Sequence, residues 1–308
     1  MATILEPGQI EAAATSPPFL HLPPPNLFAL RALRLERLAE GHPLAEYLRL
    51  VAGLCQAQQR LMDDPPELAL PDPQRIRLCL DHGLPPFAAD SLVREDAWLA
   101  YLRGLLQHYQ PPAQPAVVNA VASLREASVG QLKAWAIALV SGQFALVPAA
   151  LVPFLGAALQ VAWSHWLLST PDLRLKPGNS LNQCPACGSP AMAGVIRHRG
   201  KYNGLRYLVC SLCACEWHVV RVKCVYCEQS KGLQYVSLDS DRHAADKAPL
   251  RAETCPGCHS YLKQLYLECD AEAEALSADL SSLVLDMRLE QEGFARPAPN
   301  LLLAPGGD

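Results

Sequence analysis

The chain has 308 residues, 50% of them hydrophobic, which is enough for two domains and at least one ordinary core. A formal net charge of -4 and a pI near 6.1 give no global reason to expect nucleic acid or an anionic membrane as partner. The first twenty residues lack both the basic and the continuous apolar region of a secretory signal, so a cytoplasmic protein is expected, and twelve cysteines in a reducing compartment point away from a disulfide framework.

Most of the 27 prolines fall before residue 180, in clusters such as Pro23-Pro24-Pro25, Pro65-Pro66, Pro71/Pro73, Pro85-Pro86 and Pro111-Pro112, and the segments between them read as helix. Residues 1–25 form a flexible N-terminal segment. An all-helical domain over 26–170 follows, with helices near 27–40, 44–62, 91–109, 116–140 and 150–169. The second shows its period plainly, with Leu44, Tyr47, Leu48, Val51, Leu54 and Cys55 at i, i+3, i+4 spacing after Gly41 and Pro43. Trp98, Leu102, Leu105, Leu106 and Tyr109 repeat it. Cys55 and Cys79 stand among apolar neighbours and read as small core residues.

No Lys, Arg, Asp or Glu occurs from Ala134 to Pro171, a stretch long enough to span a bilayer. Pro148, Pro153, Gln143, Gln160 and His165 interrupt it and no basic cluster flanks it. A buried central helix is the better reading.

The character changes at residues 171–178, which read as a linker. Short β-like runs follow, Arg206–Val209 and Trp217–Val222 among them, separated by cysteine pairs and turns. Helical period returns after Cys269, where Leu276, Leu280, Leu283, Val284 and Met287 mark one face of a final helix. The Pro- and Gly-rich tail from Arg296 is expected to be loose.

Eight cysteines form four Cys-x-x-Cys pairs: Cys184/Cys187, Cys210/Cys213, Cys224/Cys227 and Cys255/Cys258. Two residues between cysteines let a tight turn aim both sulfurs at one point while its N-H groups face the thiolates. A closed tetrahedral S4 site needs two such turns. The intervals 188–209 and 228–254 suit ribbons that run out and return, and 214–223 suits a connector. Two sequential sites are predicted, in ribbons over 171–220 and 221–268, with the C-terminal helix and tail over 269–308; an interleaved pairing of the turns is the alternative. Cys215 stands two residues past Cys213 and either substitutes for it as a ligand or faces away, the regular two-residue spacing favouring Cys213, and Cys269 reads as structural. Cys255–His259 fits the haem c attachment pattern, but haem attachment needs export and would strip the fourth turn of its ligands.

Four thiolates suit zinc or a single iron, and with a divalent ion the centre carries a formal charge of about -2. Arg174, Lys176, Arg197, Arg199, Lys201 and Arg206 surround the first site with no acid between Leu173 and Cys215. A charge-balanced, solvated hairpin is the plainer reading of that run. A docking face for an acidic protein or for nucleic acid is the sharper one, although only Tyr202 and Tyr207 lie nearby for base stacking. The sequence holds no HExxH, GxSxG, phosphate-cradling glycine loop or dinucleotide fingerprint. Closed S4 sites leave no position for substrate, so no catalytic residues are assigned and a hydrolytic or transfer enzyme is not expected.

The runs LRYLVCSLCACEWHVVRVKCVYCEQSKGLQYVSLD (205–239), CPGCHSYLK and LSADLSSLVLDMRLEQEGF resemble the formate dehydrogenase accessory protein FdhE family, and CPACGSPAMAGV (184–195) and SGQFALVPAALVPFLGAALQVAW (141–163) are also similar. The resemblance covers about half the chain closely and the remainder in layout. It implies a helical domain followed by two rubredoxin-like ribbons and a cytoplasmic, non-catalytic role in producing active respiratory formate dehydrogenase. The implied partner is the molybdenum- and selenocysteine-containing catalytic subunit before its export. The implied cofactor is two metal ions, iron rather than zinc, with Cys184, Cys187, Cys210, Cys213, Cys224, Cys227, Cys255 and Cys258 as ligands. A rubredoxin-like turn usually places Gly after its second cysteine. Here only Gly188 does so, and Ala214, Glu228 and His259 would resist that backbone by about 1 kcal/mol or more. Strict rubredoxin geometry at the second site is therefore in doubt. Rubredoxin-like electron transfer and a nucleic-acid-binding zinc ribbon are the competing functions.

Overall fold

A computed structural model describes residues 17–67, 71–170, 173–178, 180–198, 203–238, 244, 247–298 and 300–303. The helical region comprises α1 (Leu27–Ala39), α2 (Ala45–Asp63), α3 (Pro73–Asp81), α4 (Ala89–Leu92), α5 (Ala97–His108), α6 (Pro115–Glu126), α7 (Val129–Val140) and α8 (Val152–Ser169). The segment expected as one helix over 116–140 breaks at Ala127–Ser128, where the Ser128 hydroxyl accepts from Gln131 N-H and caps α7. The segment over 91–109 is also divided. Trp98 Nε1 donates to Val93 O at 3.0 Å beside the break between α4 and α5. Helix α3 lies between the Pro71/Pro73 and Pro85-Pro86 clusters, a stretch that reads as helical but holds none of the five helices expected with bounds. Pro73 occupies its first turn and Asp72 accepts from Gln74 N-H at 2.9 Å, so the proline starts a helix rather than separating two.

Helix α8 is the buried central helix. It is long and apolar enough to cross a membrane, yet 89% of its apolar window is buried inside the fold. Helices α2, α5 and α7 pack on it, and Gln58 Nε2 reaches across from α2 to Ala157 O at 2.8 Å. Cys55 is fully buried and Cys79 partly so.

Seven strands follow the order β1-β4-β3-β2-β7-β6-β5: β1 (Leu20–His21), β2 (Ala191–Ile196), β3 (Arg206–Cys210), β4 (Glu216–Val219), β5 (Gln234–Val236), β6 (Leu250–Cys255) and β7 (Ser260–Tyr266). The pairings are antiparallel except for β2 with β7, which run parallel with Gly194 opposite Gln264. That parallel junction joins the two ribbons into one sheet. Strands β2, β3 and β7 are buried along their whole length, and one hydrophobic core runs from Phe28 and Trp98 through Trp163 to Leu208 and Trp217. Leu20 and His21 fall in the segment expected to be flexible, but they pair with Trp217 and Glu216 because β4 would otherwise expose its edge. Residues 1–16 lie outside the described residues.

Two members of the basic run are held in ion pairs rather than solvated, while Arg174 and Lys176 are exposed. Arg206 is fully buried, donating to Glu253 at 3.0 Å and to the carbonyls of Arg221 and Lys223, while Arg197 pairs with Glu216. Arg199, Lys201 and Tyr202 lie outside the described residues.

The C-terminal helix divides into α9 (Ala275–Leu280) and α10 (Leu283–Gln291). The turn at Ser281–Ser282 rotates the second helix, so that Leu285 and Leu289 are buried and Val284 and Met287 are exposed. The turn is held by the buried Lys263, whose Nζ donates to Asp279 O at 3.1 Å and to Ser282 Oγ at 2.9 Å. The tail is not loose over 296–298 and 300–303. Arg296 and Asn300 bond to Asp279 Oδ2 at 2.9 and 3.0 Å, and Tyr47 hydroxyl donates to Leu302 O. A Cβ on Gly156 of α8 would stand 2.1 Å from Leu301 O, so only glycine lets the tail approach the central helix this closely.

Replacing Glu253 by Leu leaves Arg206 charged and unpaired in the core. A loss of about 3–5 kcal/mol is expected in denaturant unfolding, with much of it recovered in the double variant Arg206→Met/Glu253→Leu. Burial opposes ionisation of Asp279, but Arg296 and Lys263 outweigh it and lower its carboxyl to about 2. An unfolded carboxyl titrates near about 4, so this stabilisation is complete above that pH and lost as pH falls through about 2. Asp279→Asn should flatten the acid side of the stability profile, read by thermal unfolding across that window.

Candidate metal centres

Each Cys-x-x-Cys pair forms a tight turn. The first is closed by the Gln183–Pro190 bridge just before β2, with Cys184 N-H donating to Ser189 O at 2.9 Å and Gly188 N-H to Cys184 O at 2.8 Å. The second joins β3 to β4, with Cys210 N-H on Cys215 O at 3.0 Å. The third precedes β5 with Cys224 N-H on Gln229 O at 2.8 Å, and the fourth joins β6 to β7 with His259 N-H on Cys255 O at 2.9 Å. Residues after the second cysteine all have positive φ: Gly188 (75°), Ala214 (57°), Glu228 (61°) and His259 (53°). The three non-glycines therefore adopt the backbone that their side chains disfavour, at about 1–2 kcal/mol each. Glycine-like turn geometry is kept at both sites.

The turns bring together Cys184, Cys187, Cys210 and Cys213 in one cluster and Cys224, Cys227, Cys255 and Cys258 in another, with the sulfurs of each within 4.8 Å of one another. This is the sequential grouping, not the interleaved one. Sulfur separations are 3.6 Å (Cys184–Cys213) and 3.4 Å (Cys187–Cys210) in the first, and 3.7 Å (Cys224–Cys258) and 3.5 Å (Cys227–Cys255) in the second. A tetrahedral ion with metal–sulfur bonds of about 2.3 Å needs sulfurs about 3.8 Å apart. Both donor sets fit one ion each. Backbone N-H groups also face the first cluster, from Ala186 to Cys184 Sγ (3.4 Å) and from Leu212 and Cys213 to Cys210 Sγ (3.3 and 3.4 Å).

The clusters differ in their surroundings. All four cysteines of the first are buried, whereas Cys227 and Cys258 of the second are exposed. Each cluster offers the four-sulfur donor set expected of a closed site, but the first is enclosed by the fold and the second sits where the β6–β7 turn meets the surface. The first is bolted to the helical region. Phe87 and Ala89 N-H donate to the carbonyls of Ala186 and Cys187 at 2.9 and 3.0 Å, and on α8 Gln160 Nε2 and Ser164 Oγ donate to Ser211 O and Cys213 O at 2.8 and 3.3 Å. Sequence reasoning treated Gln160 only as an interruption of an apolar run. Its polarity four residues before Ser164 was the available signal that this face meets buried carbonyls.

Electrostatics follow the same division. Burial disfavours a thiolate at Cys184, but hydrogen bonds from Cys187, Cys210, Cys213 and Cys215 outweigh it and hold Cys184 well below the usual thiol value. Burial raises Cys210 and Cys213. At the second cluster burial raises Cys224, while at Cys258 hydrogen bonding from Ser260 overcomes burial and lowers the thiol to about 7. Cys215 is buried with its sulfur 3.3 Å from Cys184 Sγ, and Cys269 is exposed and outside both clusters.

A groove of about 590 Å³ lies between α1 and the β3–β4 turn. Its arginines Arg31, Arg34, Arg37 and Arg197 each pair with a carboxylate, of Glu274, Asp270, Glu272 and Glu216 respectively. The groove offers no unpaired basic stripe for a phosphate backbone.

Family models for the FdhE N-terminal, central and C-terminal domains match residues 16–179, 183–221 and 222–303. Protein FdhE homologs are similar throughout: 66% identical in Pseudomonas putida, covering 100% of this chain and 96% of that protein, and 40% identical in Cronobacter sakazakii, covering 98% and 96%. The crystal structure of the FdhE protein from Pseudomonas aeruginosa superposes with a TM-score of 0.89 at 62% identity, covering 94% of this chain and 100% of that one.

Exposure should order metal release. Chain loaded with cobalt should lose one ion to a chelator quickly and the other slowly. In Cys184→Ser the remaining ion should be the fast one and in Cys224→Ser the slow one, read by decay of thiolate-to-cobalt absorption. Equal rates would contradict the difference in burial.

Proposed function

Because the chain belongs to the FdhE family, we propose that it is a non-catalytic, metal-binding accessory protein needed to produce active respiratory formate dehydrogenase, acting on that enzyme's catalytic subunit in the cytoplasm before export. The observation that carries this reading is the pair of four-thiol clusters on one sheet, one locked in the core and one at the surface. Cys184, Cys187, Cys210 and Cys213 would hold one ion, and Cys224, Cys227, Cys255 and Cys258 the other. A metal bound there supplies cross-linking of the turns and, if it is iron, a one-electron couple.

The residues themselves divide the work. Gln160, Ser164, Phe87 and Ala89 fix the first centre as the joint between helices and sheet, which suits a structural role. The second centre presents Cys227 and Cys258 beside the turn Pro256–Gly257, which suits contact with a client. Four protein sulfurs around each ion leave no position for a substrate, which supports a non-catalytic role.

Electron transfer is the second reading, favoured by the same exposed sulfurs, since a buried iron would exchange electrons slowly with a partner. The two are separable. Deleting the gene from its own host should abolish respiratory formate dehydrogenase activity while the enzyme's subunits are still made, measured by activity staining beside immunoblots. Restoration by a zinc-loaded chain would retain the accessory role and remove electron transfer; normal activity in the deletion would remove both.

A further inference from the structure

We propose that Cys215 is a reserve ligand of the first centre, taking the place of Cys213 when that sulfur is lost. The proposal rests on the reading that the four-thiol clusters hold metal ions, and it adds a fifth sulfur to one of them.

The two clusters follow one plan. Cys184 and Cys213 in the first correspond to Cys224 and Cys258 in the second, with sulfurs 3.6 and 3.7 Å apart. Cys187 and Cys210 correspond to Cys227 and Cys255, at 3.4 and 3.5 Å. Two residues beyond the second cysteine of the returning turn stand Cys215 in the first centre and Ser260 in the second. Cys215 immediately precedes β4 and Ser260 begins β7, and both side chains lie on the same sulfur edge. Ser260 Oγ is 2.9 Å from Cys258 Sγ and 4.0 Å from Cys224 Sγ, and Cys215 Sγ is 3.3 Å from Cys184 Sγ.

At that shared position the two centres carry different chemistry. A hydroxyl donates a hydrogen bond to a ligand thiolate but is a poor ligand for a soft site, whereas a thiol can do both. Cys215 is completely buried, its carbonyl is pinned by Cys210 N-H at 3.0 Å, and no polar group other than the cluster's own sulfurs is bonded to its sulfur among the described residues. It does not act as a fifth simultaneous ligand. The tetrahedron takes four sulfurs, and another buried thiolate would add negative charge with no cation to meet it. At rest it keeps its proton and faces the Cys184 sulfur. With the Cys213 sulfur lost, Cys215 ligates as a thiolate and releases its proton to solvent, as a cysteine ligand does on binding metal. The number of thiolates and the charge of the centre are those of the Cys213 form, and no oxidant is needed.

The test uses the full chain loaded with cobalt and equilibrated against a chelator that wild type resists. Ions per chain, the intensity of four-thiolate absorption and far-ultraviolet circular dichroism are read together. Cys213→Ser and Cys215→Ser should each keep both ions with four-thiolate absorption at the first centre, and the double variant should keep one. In the second centre Cys258→Ser should drop to one ion, and adding Ser260→Cys should restore the second. Loss of one ion from folded Cys213→Ser alone, as in the double variant, overturns the proposal. If Cys213→Ser does not fold, the surface centre decides: failure of Ser260→Cys to restore an ion overturns it there. A wild-type chain that holds no ions overturns the underlying metal reading as well.

Discussion

The fold is organised by a set of outward-facing carbonyls. A Cys-x-x-Cys turn aims its N-H groups inward at sulfur, so its C=O groups point away and need donors of their own. At the first centre these carbonyls are buried, and water cannot supply the donors. Gln160 and Ser164 of α8 and the N-H groups of Phe87 and Ala89 do so instead. A largely apolar helix therefore carries Gln160 and Ser164 on the face toward the sheet, and the helices and sheet share one core. The indole N-H of Trp163 on Phe87 O at 2.9 Å fixes the loop that provides the backbone donors.

The second centre is placed by the first through the sheet. Strand β2 leaves one turn and pairs in parallel with β7, which leaves another. Across this junction Arg206 reaches from β3 to Glu253 of β6 and to the carbonyls of Arg221 and Lys223, the residues leading into Cys224. A buried ion pair of this kind is a weak source of net stability but a strong constraint on register, because any slip leaves a charge without its partner. The two cysteine clusters thus sit at a fixed spacing, one enclosed and one presented.

What could be read from the sequence was what short-range chemistry decides. Cysteine spacing gave the sequential grouping, and the apolar period gave α1, α2 and α8 close to their bounds. Features set by distant partners were not legible. Arg206 reads as a surface charge until Glu253 is placed beside it. The turn that divides α9 from α10 depends on Lys263, and the order of residues 296–303 depends on Asp279 and on Gly156. The positive φ at Ala214, Glu228 and His259 goes against residue preference because the shared ring of turn hydrogen bonds and sulfur contacts outweighs a cost of about 1–2 kcal/mol each.

The approach of Leu301 to Gly156 sets an order of events during synthesis. Helix α8 leaves the ribosome with Gln160 and Ser164 unpartnered, and their acceptors at Ser211 and Cys213 follow only after a further forty or so residues have been added. The groove over Gly156 is closed later still, by residues 300–302. The residues that cover Gly156 are therefore made after all eight cysteines of the two clusters, and the central helix cannot be fully covered until the chain is almost complete.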